Sequence, residues 1–217
     1  MRAAAAAAVG LVACAHETPA PRAPTKQSES EEAEVTPGED LMQEHGILER
    51  ILLVYDESAR RLESNEQADP TVVASAAGIV RRFIEEYHER QEERFVFPKL
   101  QAAKSETELV AVLFRQHERG RQLTDEIVRK AQSGGPELAA LLRSFARMYR
   151  PHAAREDTVL IPALRRLLDR DAYRELGEQF EEEEHRRFGE HGFEETVAEV
   201  AKLEAALGIG ELDRFTP

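Results

Sequence analysis

YHERQEERFVFPKL, residues 87–100, and PHAAREDTVLIPAL, residues 151–164, are two copies of one unit. His88 aligns with His152, Glu92 with Glu156, Glu93 with Asp157, Phe95-Val96-Phe97 with Val159-Leu160-Ile161, Pro98 with Pro162 and Leu100 with Leu164. At about 3.6 residues per turn, positions four apart differ by only about 40° around a helix. Each copy therefore puts an imidazole and a carboxylate on one helical face.

Working outward, each copy follows a helix with one further histidine in its apolar stripe. Thr36-Pro37-Gly38-Glu39 has the layout of a capping box with proline at the first helical position. The helix it opens repeats Leu41, His45, Leu48, Leu52, Tyr55, Ala59 and Leu62 at spacings of three and four. After the polar turn from Ser64 to Asp69, Pro70 starts a second helix whose face runs Val73, Ala77, Val80, Ile84 and then His88. Ser105 and Glu108 predict another capping box, opening a third helix through Leu109, Leu113, His117, Thr124 and Ile127. Ser133-Gly134-Gly135-Pro136 breaks the chain before a fourth, carrying Leu138, Leu141, Phe145, Met148 and His152.

Long helices with short connections predict an all-α fold, an antiparallel up-down-up-down four-helix bundle over residues 36–170 built as a two-fold pseudo-repeat. A further helix from Ala172 to Phe188 and a shorter one from Phe193 to about Leu207, separated by Gly189 and Gly192, predict a C-terminal helical extension over 171–217 packed outside the four.

The composition fits charged-faced helices: 41% hydrophobic and 33% charged residues, with only 12 glycines. A net charge of -13 excludes nucleic acid as a natural partner, because phosphate binding needs a basic patch; cations are better guests. A P-loop, a dinucleotide fingerprint and a nucleophilic triad are absent from the sequence. Four inward imidazoles and two carboxylates are too much polarity to leave unpaired in a core, and a metal satisfies them all. Mixed imidazole and carboxylate ligation suits iron, manganese or zinc; two carboxylates shared by two histidine pairs suit a bridged dinuclear centre.

The pattern His, His-x-x-x-Glu, His, His-x-x-x-Glu, from Glu39 to Leu168 and with apolar-apolar-Pro-x-Leu after each acidic pair, resembles the hemerythrin-like family of HHE cation-binding domains. The segment from Phe188 to Pro217 also resembles extensions seen on bacterial members. The resemblance implies a non-haem di-iron site that binds oxygen, nitric oxide or peroxide. His45 and His88 would serve one iron, His117 and His152 the other, with Glu92 and Glu156 bridging them beside an oxo bridge.

Two departures stand out. Oxygen carriers of the family have His-x-x-x-His on the third helix, whereas Arg121 stands four residues after His117. An extra open position follows, which favours peroxide or nitric oxide chemistry over reversible oxygen storage. The carriers also place an acidic bridge five residues after the last histidine, where this chain has Asp157. Five residues is about 140° of rotation, so Glu156 is better aimed on an undistorted helix and Asp157 is the second choice if Pro151 distorts it.

Competing readings are an iron-storage or iron-sensing protein without turnover and a metal-free structural bundle. Glu85 with His88, and Glu182 with His185, fit the Glu-x-x-His of ferritin-like proteins, but that site needs further inward glutamates on two other helices. Glu181 to Glu184 read as a solvated charge run, Glu89 and Glu93 as a solvated face, and His185 and His191 as candidates for a supplementary ligand.

The chain starts MRAAAAAAVGLVACAHE, in which Arg2 and a short apolar run lead to Leu11-Val12-Ala13-Cys14. This resembles the lipobox of bacterial lipoproteins, with an apolar segment too short to span a bilayer. The expectation is a signal peptide over 1–13, lipidation of Cys14, a disordered tether over 14–35, export and membrane anchorage in the cell envelope. The alternative is an Ala-rich tail on a cytoplasmic protein. Cys14 is the only cysteine, so intrachain disulfides and cysteine zinc sites are excluded.

Overall fold

The computed structural model describes residues 35–217; Cys14, the expected signal peptide and residues 14–34 of the tether lie outside the described residues. Helix α1 spans Pro37–Glu63. Its start is a reciprocal cap: the Glu39 N–H donates to Thr36 Oγ1 at 3.3 Å and the Thr36 N–H to Glu39 Oε2 at 3.0 Å. Helix α2 covers residues 70–102, opened by Asp69, whose carboxylate accepts the Thr71 N–H at 2.8 Å. Helix α3 spans Thr107–Lys130, α4 covers 135–167, α5 spans Arg170–Phe188 and α6 spans Gly192–Leu207. No strand occurs among the described residues.

The first four helices form the antiparallel bundle, with α1 lying along α4, and α3 packed on α2 and α4. Helices α5 and α6 lie outside it, both against α1. Tyr173 of α5 accepts the Gly38 N–H at 3.0 Å, and any Cβ at Gly38 would come within 2.6 Å of that hydroxyl. Arg50 of α1 grips Glu204 of α6 through two bonds, 3.0 and 2.6 Å.

Within the bundle the apolar side chains divide into two clusters. One holds Leu48, Tyr55, Phe83, Tyr87, Phe145 and Tyr149; the other holds Leu41, Val96, Phe97, Leu113, Leu160 and Leu176. Each of the four helices passes from one cluster to the other, and the polar residues sit where it crosses: His45 lies between Leu41 and Leu48, for example. The histidines and glutamates thus form a polar layer between two greasy slabs.

Helices α2 and α4 each change pitch at the repeated motif. In α2, π-helical turns run Val80–His88 and Glu92–Val96; in α4, one runs Glu156–Leu160. The Phe97 N–H bonds the Glu92 carbonyl and the Ile161 N–H bonds the Glu156 carbonyl, each five residues back and each directly before the repeated proline. Pro98 and Pro162 have no N–H and would crowd the carbonyl four residues back, so a widened turn suits them. The helix at Glu156 is therefore distorted by its downstream proline; Pro151 sits within the α-helical stretch Gly135–Arg155.

Two local expectations are corrected. Ser105 does not cap α3, because its N–H donates to the Leu100 carbonyl and closes α2, with Lys104 left-handed at φ 55°. The α3 cap falls on Glu106 and has no side-chain bond. On α4 the buried stripe includes Leu142 and Tyr149, while Leu141 and Met148 are half-buried at its edge.

Candidate metal centre

One histidine from each bundle helix reaches the polar layer: His45 from α1, His88 from α2, His117 from α3 and His152 from α4. Glu92 of α2 and Glu156 of α4 join them, and none of the six is more than 3% exposed. Their donor atoms form two groups, His45-His88-Glu92-Glu156 and Glu92-His117-His152-Glu156, in each of which all donors lie within 4.8 Å of one another. Both carboxylates belong to both groups. Glu156 presents one oxygen to His45 Nε2 at 3.3 Å and the other to His152 Nε2 at 3.1 Å. Glu92 Oε2 lies 3.7 Å from His88 Nε2 and 3.4 Å from His117 Nε2.

The outer nitrogen of every imidazole is held by a separate residue. Nδ1 of His45 lies 2.7 Å from Asp157, that of His88 2.5 Å from Glu44, that of His117 3.1 Å from Glu93 and that of His152 2.9 Å from Gln116. The holders obey the pseudo-repeat. Glu44 and Gln116 immediately precede His45 and His117, and Glu93 and Asp157 immediately follow Glu92 and Glu156. An oxygen acceptor on Nδ1 keeps a proton there and turns the Nε2 lone pair inward, as metal ligation requires.

What these inward atoms lack is a partner. Both oxygens of Glu92, both of Glu156 and Nε2 of His117 are buried without a hydrogen bond, and Nε2 of His45 and of His88 face each other at 3.1 Å. Such a set is costly unless positive charge sits at its centre, and its chemistry fits a pair of borderline cations. Without one, protons answer in part. Burial opposes a charge on His45, but the neighbouring carboxylates of Asp157 and Glu156 outweigh it and raise the imidazole to about 9. Burial and the nearby Glu156 push Glu92 well above the usual carboxylate range. Burial lowers His88 to about 3 and His117 to about 4, so both are neutral, the form that binds metal.

The hemerythrin HHE cation-binding domain family matches residues 36–164. This chain belongs to that family. Uncharacterized proteins of Mycobacterium bovis and of two strains of Mycobacterium tuberculosis are each 44% identical to it over 223 residues, covering 99% of this chain and 88% of theirs. No solved structure matches it significantly.

As a hemerythrin-like metal-binding protein, the chain shows what stands where the third-helix histidine of the carriers would be. Arg121 Nη2 pairs with Glu89 at 2.7 Å and with Glu93 at 2.5 Å, and turns its charge away from the centre. This corrects the solvated reading of Glu89 and Glu93. Glu89 is fully buried, accepts the Tyr149 hydroxyl at 2.5 Å, and is pushed up to about 8 by burial against the pull of Arg121. Gly120 makes room for this, since a Cβ there would lie 1.9 Å from the Tyr149 oxygen. Glu89, Glu93 and His117 also form a third donor group, but the guanidinium already supplies its cation.

Asp157 stays outside the shared donor groups and lies against the outer nitrogen of His45, as its rotation of about 140° from His152 leads one to expect. Glu85 is buried but pairs with Arg81 at 2.7 Å and stays outside the donor groups, so the Glu-x-x-His reading fails there. His185 and His191 are exposed and belong to no donor group among the described residues. Glu183 and Glu184 are half-buried, Glu184 accepting the Phe193 N–H at 2.8 Å and Glu183 accepting from Arg186 and Arg187, unlike the exposed Glu181 and Glu182 of the same run.

Proposed function

We propose that the chain is a non-haem di-iron protein that binds or reduces a small oxidant, with peroxide or nitric oxide favoured over reversible oxygen carriage. The observation that carries this is the sharing of Glu92 and Glu156 between two otherwise separate histidine pairs. His45 and His88 would hold one iron, His117 and His152 the other, and both carboxylates would span the two. A bound iron pair supplies redox equivalents and positions open to a small ligand.

The chain's own residues define the setting. Glu156 offers its two oxygens to opposite sides, which suits a bridge. Asp157, Glu44, Glu93 and Gln116 fix the four rings. Phe97 stacks on His117 with centroids 5.4 Å apart, and the apolar clusters on both sides keep bulk water out. With Arg121 committed to Glu89 and Glu93, α3 supplies one imidazole, so neither iron gains a third. Between α2 and α5 a cleft of ≈ 520 Å³ is lined by Tyr87, Gln91 and Glu93, the last of which holds His117.

Titrating the iron-loaded chain with peroxide, and separately with nitric oxide, each in the presence of an added one-electron donor that re-reduces the iron, is expected to give repeated consumption of at least one. A single stoichiometric bleaching with each would favour iron binding or storage without turnover. Reversible oxygen binding through many cycles would contradict the preference for oxidant reduction.

Lipid anchorage at Cys14 in the cell envelope belongs to the same proposal. No helix among the described residues is long and apolar enough to cross a membrane. Cys14→Ser is expected to move the chain from the membrane to the soluble fraction with its metal retained; membrane association that survives the change would refute the anchor.

A further inference from the structure

The two halves of the centre match in what faces inward and differ in what stands behind. Behind the His45-His88 pair are two carboxylates, Asp157 and Glu44, and no Arg or Lys among the described residues pairs with either. Only neutral groups approach Glu44 from the side, Gln91 with its Nε2 at 3.4 Å and the hydroxyl of Tyr87. Behind the His117-His152 pair stand one carboxylate and one neutral amide. The carboxylate, Glu93, is neutralised by Arg121 at 2.5 Å and by Arg90 at 2.5 Å; the amide is that of Gln116. Glu44 and Gln116 occupy equivalent places in the repeat, so the contrast between a carboxylate and its isosteric amide is built into the sequence.

A carboxylate on Nδ1–H draws the proton toward itself and makes Nε2 a stronger donor; an amide does so less, and a guanidinium beside the carboxylate weakens its pull. Burial amplifies the difference. Glu44 is 1% exposed, where its charge is poorly screened, while the Asp157 side chain is 32% exposed and contributes less.

We propose that the two metal positions are inequivalent despite identical inward ligands: the His45-His88 position takes a divalent first-row cation first and more tightly, with Glu44 against Gln116 as the deciding pair and Arg121 reinforcing the difference. This rests on the dinuclear reading above. Loss of an outer partner of a ligating histidine costs about 10- to 100-fold in metal affinity, so replacing a carboxylate partner by an amide is expected to separate the two steps by about tenfold.

The test is titration of the metal-free full chain with Co²⁺, followed by visible absorption and calorimetry. Two resolved steps are expected. Gln116→Glu should tighten the second step by about 10-fold or more and bring it toward the first. Glu44→Gln should weaken the first step and leave the second unchanged. Both changes keep side-chain shape, and circular dichroism checks that each variant remains helical. Two equal steps in the native chain, or a second step indifferent to Gln116→Glu, would overturn the inference while leaving a dinuclear site intact. No cobalt uptake at all would overturn the dinuclear reading and this inference together.

Discussion

His88→Ala and His152→Ala are each expected to lower bound metal from about two ions per chain to about one or none, while His191→Ala leaves it unchanged. The two ligand changes act on different donor groups, yet each also strands a holder: Glu44 loses the ring it faces in one case and Gln116 in the other. Removing a ligand exceeds the loss from removing its outer partner, so affinity at the damaged position should fall by more than about 100-fold. Glu92 and Glu156 are shared, and the intact half should suffer as well. Metal analysis of the three variants after equal loading checks this. Equal loss in all three would mean the exposed His191 matters as much as the buried pair and would undo the ligand assignment.

Stripping the metal should cost stability, and the cost should grow as pH rises from about 6.5 to 8. Binding at 1,000 times the dissociation constant adds about 4 kcal/mol, which for a chain of this size is about 10 °C in Tm. In the metal-free state burial pushes Asp40, Glu44 and Glu89 up to about 8, and the carboxylates of Asp157 and Glu156 raise His45, against burial, to about 9. Unfolded, these groups titrate near 3.8 to 6.5. Between about 6.5 and 8, therefore, the folded metal-free chain holds protons that the unfolded chain has released. Raised pKa values give stability that is present at low pH and lost on the way up, at about 1.4 kcal/mol per pH unit for each proton. Metal binding runs the other way, because ligands must be deprotonated to bind. Thermal melts with and without chelator across this range should show a widening gap; a gap that narrows toward pH 8 would contradict the account.

The bundle and its inward residues were legible because they rest on periodicity. His45, His88, His117 and His152 each fall on an apolar stripe at three- and four-residue spacing, and burial of that stripe leaves the rings nowhere else to point. The repeat around Pro98 and Pro162 also pointed to a two-fold arrangement. What stayed hidden depends on tertiary placement. Glu89 follows a buried histidine and reads as a solvated neighbour, and only the approach of Arg121 and Tyr149 from α3 and α4 explains its burial. Asp157 reads from the sequence only as a second-choice bridge, and only the approach of α1 shows that it holds Nδ1 of His45 instead. Glu44 and Gln116 did carry a signal, since each directly precedes a stripe histidine. Its meaning emerges only once the neighbouring helix brings His88 and His152 alongside.

The most direct test is to purify the chain from iron-supplied cells and measure metal per chain together with the visible spectrum before and after reduction. About two irons per chain and a visible absorption that reduction bleaches are expected. Little or no metal in a chain that is still folded and helical would contradict it, and would assign the repeated histidines to packing.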